Sequence, residues 1–171
     1  MARGARGRSP LASTVADLPA LRPALDTYTW DGLPVSPEPP FGAAIIVYRR
    51  PRPGAIELLV LHRRAATDDQ VDWAWGPPSG ARWPGEPIGE TARRELREET
   101  GLARYPRPVV TSGTDWPVFT IEIDTGAAIM LSGEHDRYAW LSPASALEVS
   151  GPDLVRDQIR TVLSTIDLSP G

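Results

Sequence analysis

The apolar positions of the chain change texture three times. From Phe41 they form short runs rich in β-branched residues: GAAIIVYRR from Gly42 and IELLVLHRR from Ile56 read as two strands, joined by the turn residues Pro51 to Gly54. From Ile88 the spacing becomes helical, with Ile88, Ala92 and Leu96 on one stripe. Strand-like texture then returns. Pro108 to Ser112 predicts a strand, Val118 to Asp124 alternates with Phe119, Ile121 and Ile123 on one side, and Ala127 to Leu131 and Tyr138 to Leu141 complete a β-rich middle. Ser142 followed by Pro143 marks the start of a short helix. Pro152 opens a last helix in which Leu154, Val155, Ile159, Val162, Leu163 and Ile166 recur at helical spacing. Helices on either side of a mixed sheet predict an α/β/α sandwich.

The first forty residues break this pattern. They hold seven of the nineteen prolines, and the opening MARGARGRSP carries Arg3, Arg6 and Arg8 with no acid. Proline at that density interrupts both helix and ladder hydrogen bonding, so residues 1–40 are expected to be a largely irregular Pro/Arg-rich extension and residues 41–168 the folded domain. With 171 residues, 41% of them hydrophobic and 23% charged, the chain suits one globular domain with a real core. The best apolar run, Gly42 to Tyr48, is far short of the roughly 18 residues of a membrane helix. A formal net charge of −4 argues against nonspecific nucleic-acid binding, which needs Lys and Arg clusters. With no cysteine there is neither a disulfide nor a thiolate metal site. The expectation is a cytoplasmic protein with no membrane or nucleic-acid partner, for which a homodimer is an option.

The candidate chemistry lies on the predicted helix after Ile88. At about 100° per residue, Glu98, Glu95 and Glu99 fall near 280°, 340° and 20°, while Arg93 and Arg97 point away near 140° and 180°. The acids share one edge and border the apolar stripe, which places them in a cleft rather than on the open face. Like charges three and four apart destabilise a helix by a few tenths of a kcal/mol per pair, a cost that a bound cation would offset. An ordinary charged surface helix is the bland alternative, and the segregation of acids from bases argues against it.

Residues 80–102, GARWPGEPIGETARRELREETGL, fill every fixed position of the pattern G-x5-E-x7-R-E-U-x-E-E-x-G-U, where U is a bulky aliphatic. The window resembles the signature of the Nudix hydrolase family on Gly80, Glu86, Arg94, Glu95, Leu96, Glu98, Glu99, Gly101 and Leu102. A random match has odds on the order of one in 10⁹ per window. The resemblance implies an α/β/α sandwich with a mixed central sheet and cleavage of a diphosphate linkage by metal-activated water. It implies Mg²⁺, with Mn²⁺ as an alternative, held by Glu95, Glu98 and Glu99, of which Glu99 and Glu95 are the inner ligands, together with the backbone carbonyl of Ser79. That residue stands in PPSG, where many members have PGG. Arg94 is then the arginine that orients a motif glutamate, Glu86 a structural or outer-sphere acid, and Gly101 the left-handed end of the helix. Glu134, in LSGEHDRYAWL, is the favoured general base, by similarity to a segment that follows the signature in several nucleotide-cleaving members. His135 reads as a hydrogen-bonded structural residue and His62 as a strand end.

Substrate cues are mixed. Trp83 stands where many members carry an acid, and together with Trp116 and Phe119 it is a candidate for stacking on a base, although aromatics in such places are often core. WGPPSG and EHDRYAWL lean toward a nucleoside or dinucleoside polyphosphate, whereas Pro117 leans toward ADP-ribose or a nucleotide sugar. A catalytically silent nucleotide sensor on the same fold is the third reading, since fold alone does not fix function.

Overall fold

A computed structural model describes Tyr28 and residues 32–64, 74–110 and 112–166. Its sheet is built on β1, Gly42–Arg49, which lies parallel to β6, Val118–Glu122, and antiparallel to β2, Glu57–Arg63. Two short strands, β3 (Trp75–Gly76) and β4 (Ser79–Ala81), pair with β2 and β1, and β5 (Arg107–Val110) with β6. β7, His135–Leu141, pairs along the length of β2. The sheet is therefore mixed, with one parallel pair at its centre.

Alternation along β1 decides which layer each residue serves. Ala43, Ile45 and Val47 pack with Leu59, Leu61, Ala92 and Leu96 beneath α1 (Ile88–Thr100), while Ile46 and Tyr48 pack with Val155, Ile159 and Val162 of α3 (Asp153–Thr165) on the opposite face. A short α2, Pro143–Val149, adds Ala146 to that second core, and the Ser142 side chain caps it by accepting from the Ser145 N–H. This is the expected α/β/α sandwich. α1 ends where Gly101 turns left-handed at φ 74°, its N–H bonded to the Arg97 carbonyl at 2.9 Å.

Two expectations about elements need correction. Ala127 to Leu131 is not a strand: Ala127, Ile129 and Leu131 alternate because they bury against the core under α1, and Met130 donates its N–H to the Thr100 carbonyl at the end of that helix. Leu154 leaves the apolar stripe of α3 and is 52% exposed. The expected extension falls mostly outside the described residues. Its described end is held by Arg82, whose guanidinium donates to the Pro40 carbonyl, the Ser36 hydroxyl and the Glu38 carbonyl at 2.6–2.7 Å. Among the described residues no helix is long and apolar enough to cross a membrane.

Candidate active site

Four elements converge on a cleft of about 330 Å³: β4, the loop into α1, α1 itself and the first turns of α3. Its floor is acidic. The stripe that seats α1 on the sheet also buries Glu95 and Glu99, whereas Glu98, 44% exposed at its side chain, stands at the rim.

Arg94 organises the floor. It meets the Glu86 carboxylate with two donors, Nε to Oε1 at 2.9 Å and Nη2 to Oε2 at 3.1 Å, and reaches Glu95 Oε1 at 2.6 Å, Glu98 Oε2 at 3.2 Å and the Ala81 carbonyl at 2.8 Å. Burial works against the guanidinium's charge, but Glu86 and Glu95 outweigh it and raise the pKa above its usual value. Burial likewise opposes the Glu86 charge; hydrogen bonds from Arg94, the Trp83 N–H and the Thr91 hydroxyl win and hold that carboxyl below its ordinary value. Glu86 is thus committed to tying the loop to α1.

Glu95 and Glu99 are different. Burial pushes Glu95 up to about 7 against the pull of Arg94, with Glu98 and Glu134 adding to the rise. Burial and the neighbouring Glu95 charge push Glu99 well above the carboxylate range, against the Ser79 N–H that donates to its Oε2 at 2.8 Å. Among the described residues each acid therefore has one engaged oxygen, Glu95 Oε1 and Glu99 Oε2, and one without a hydrogen bond. His135 Nε2 lies 4.0 Å from Glu99 Oε1, and burial holds that imidazole down at about 4, so it is neutral.

These donors fit a hard divalent cation. They are oxygens, and a nearby positive charge would remove the cost of ionising both acids. Ser79 contributes as well. The Ile45 N–H bonds the Pro78 carbonyl, so in the alternating ladder Ser79 turns its own N–H and carbonyl away from β1, toward Glu99. Among the described residues none other than glycine has positive φ, so serine at this position carries no backbone strain. Gly80 is required by space: a Cβ there would collide with the Glu95 carboxylate. The fit is a partial cradle rather than a closed cage, because among the described residues no three His, Cys, Asp or Glu side chains are gathered around one point.

The remaining candidates divide. Glu134 is exposed but lines the same cleft. Trp83, 39% exposed, lies at the rim with the Arg94 guanidinium 4.1 Å from its ring centroid. Trp116 is half-buried and lines the cleft as well, its ring edge 2.5 Å from where a Cβ on Gly42 would sit. Phe119 does not belong to the site. It is 3% exposed in the core beneath α1, because its register with Ile45 of β1 turns it to the sheet's α1 face.

Among the cleft residues not read from the sequence, three stand out. Arg63, the last residue of β2, lines the cleft and makes no side-chain hydrogen bond or ion pair among the described residues, unlike the fully engaged Arg94. Nothing local marks it, since HRR reads as an ordinary polar strand end. Leu154 and Gln158, one turn apart on α3, also line the cleft. A readable signal existed for Gln158: it is the polar member of the stripe Val155, Ile159, Val162.

Comparison with known proteins agrees with this geometry. Over 96 residues the chain is 35% identical to proteins from two strains of Mycobacterium tuberculosis that are provisionally named 8-oxo-dGTP diphosphatase 3. The match covers 50% of this chain and 44% of theirs, so it spans less than half the length of those relatives. The fold is shared with the E. coli dihydroneopterin triphosphate pyrophosphohydrolase (TM-score 0.58, 19% identity, 74% of this chain and 97% of that one). It is also shared with a C. elegans Ap4A hydrolase in a binary complex (TM-score 0.57, 21% identity, 72% and 95%). The NUDIX domain description matches residues 39–162, and the chain belongs to the Nudix family.

Proposed function

We propose that this domain is a Mg²⁺-dependent hydrolase that cleaves a diphosphate linkage in a nucleoside or dinucleoside polyphosphate, with water attacking phosphorus. One observation carries the reading: Glu95 and Glu99 are buried together on the floor of a cleft, each with one oxygen open and both driven toward protonation without a cation. Glu95, Glu99 and the Ser79 carbonyl would hold the metal, with Glu98 joining from the rim. When bound, the ion supplies charge neutralisation of the phosphates and a lowered pKa for attacking water.

The chain's own groups do the rest. Arg94 fixes Glu95 and is itself fixed by Glu86, so the acid cannot swing away. Arg63, whose donors are open, meets phosphate charge that the acidic floor would otherwise repel. Glu134, exposed at the cleft, takes the proton of the attacking water. Trp83 and Trp116 offer flat surfaces to a base. The names of the mycobacterial relatives and of the Ap4A hydrolase support a nucleoside polyphosphate over a nucleotide sugar.

The test is a panel of nucleoside triphosphates, dinucleoside polyphosphates and ADP-ribose, assayed with Mg²⁺, with Mn²⁺ and with chelator, for wild type and Glu99→Gln. Cleavage of a polyphosphate that requires metal and falls by about 10²-fold or more in the variant is expected. Equal turnover of the two proteins overturns the metal assignment. A melting temperature raised by a nucleotide that is never cleaved would identify a sensor instead.

A further inference from the structure

The cleft has two chemically distinct linings. Besides the acids it is walled by Leu33, Trp116, Leu154 and Val155, with Gln158 set among them. Gln158 is 6% exposed, on the stripe of α3 where its neighbours Val155, Ile159 and Val162 are all apolar. Its Nε2 donates to the Trp116 carbonyl at 3.4 Å. Its Oε1 accepts no hydrogen bond among the described residues, yet is not sealed away from solvent, so it opens to the cleft that the residue lines. This contact sets the sense of the amide. A flip would set its oxygen against the Trp116 carbonyl, two acceptors with no proton between them. Gln158 therefore presents a fixed acceptor beside an indole whose main chain it holds. Leucine would pack at this position without leaving an amide oxygen unpaired in a nearly buried site.

We propose that Gln158 determines substrate specificity by reading the nucleobase: its Oε1 accepts from an exocyclic amine or ring N–H of a base resting against Trp116 and Leu154. The proposal rests on the nucleotide reading of the cleft and adds to it the base end of the substrate. Because only an acceptor is offered, a base edge bearing a ring nitrogen or carbonyl at that point is rejected. Phosphates then lie toward Arg63 and the acids, which line the same cleft.

Binding tests this without requiring turnover. Titration calorimetry with nucleoside diphosphates of the four common bases identifies the best base. That nucleotide is then compared with analogues in which the exocyclic amine is absent or the ring N–H is methylated, for wild type and Gln158→Met, which keeps the side chain's length without its acceptor. Wild type is expected to bind the best base about tenfold more tightly than one such analogue. Gln158→Met is expected to bind the two within about twofold, with an unchanged melting temperature. If the variant unfolds, Gln158→Leu replaces it. Discrimination that persists in the folded variant, absence of discrimination in wild type, or failure to bind any nucleotide overturns the proposal. Base discrimination without hydrolysis of any nucleotide overturns the catalytic reading alone, and hydrolysis without base discrimination overturns this one alone.

Discussion

Gly80→Ala places one methyl group against one carboxylate. A Cβ at this position of β4 would lie well inside contact distance of the terminal atoms of Glu95. Carbon atoms rest about 3.5–4.0 Å apart, so the carboxylate must retreat by more than about 1 Å. The backbone pays nothing for the change, because Gly80 has no positive φ, and alanine in a strand recovers about 0.5–1 kcal/mol relative to glycine. The retreat breaks the 2.6 Å bond from Arg94, a charged hydrogen bond of about 1.5–3 kcal/mol. The net loss of stability is then about 1–2 kcal/mol, small enough to leave the domain folded. Activity suffers far more, since displacing a catalytic group by about 1 Å costs on the order of 10²-fold. Steady-state hydrolysis of the best nucleotide and urea unfolding read the two quantities separately. Gly89→Ala, on the helix that carries Glu95 and with open space around its Cβ, is the matched control and should retain activity while gaining stability. Gly80→Ala with more than half of wild-type kcat/KM would refute the reasoning, because Glu95 would then either move without consequence or not be needed.

Stability of the chelated protein should fall with rising pH. The native state holds the Glu95 proton up to about 7 whereas the unfolded chain releases it near 4.5, so its contribution is complete below the lower value and lost through the upper one; Tm measured from pH 4.5 to 8.5 in chelator, relative to Glu95→Gln, should decline, and a rise would contradict the sign. Arg82→Ala should cost about 2 kcal/mol or more in urea unfolding and speed proteolysis within residues 32–40, because four hydrogen bonds from one guanidinium hold that segment and the loop before α1. An undiminished stability would mean that the segment is held by other contacts. Phe119→Leu should cost about 1 kcal/mol of stability and leave KM unchanged. A KM shift at unchanged stability would return Phe119 to the site.

How far the site could be read from the chain depends on how local each determinant is. Glu95, Glu98 and Glu99 lie within one and a half turns of helix, and Ile88, Ala92 and Leu96 orient them, so their shared edge and the burial of two of them follow from periodicity alone. β1 and β2 were legible for the same reason. The two-residue β3 and three-residue β4 were not, since strands so short exist only through partners 13 or more positions away. Trp116 and Phe119 make the point most sharply. Three positions apart, one lines the cleft and the other fills the core, and the choice is made by the parallel register against β1, which nothing near either residue records. Gln158 shows the reverse case, a local anomaly in an apolar stripe whose meaning needed the cleft to be seen.

The alternation along β1 has a consequence for how such a domain can change. Glu95 and Glu99 ride on α1, over one face of the sheet, while Gln158 and Leu154 ride on α3, over the other, so the walls of one cleft are seated on separate cores. Substitutions in well-separated sites with no shared partners act additively. Repacking Ile159 or Val162 would therefore shift the wall proposed to meet a base by fractions of an ångström and leave the seat of the acids on α1 unchanged. A lineage built on this scaffold can drift from one nucleotide to another through the α3 side, at the risk of affinity but not of bond cleavage, and a search for altered substrate preference is best directed there.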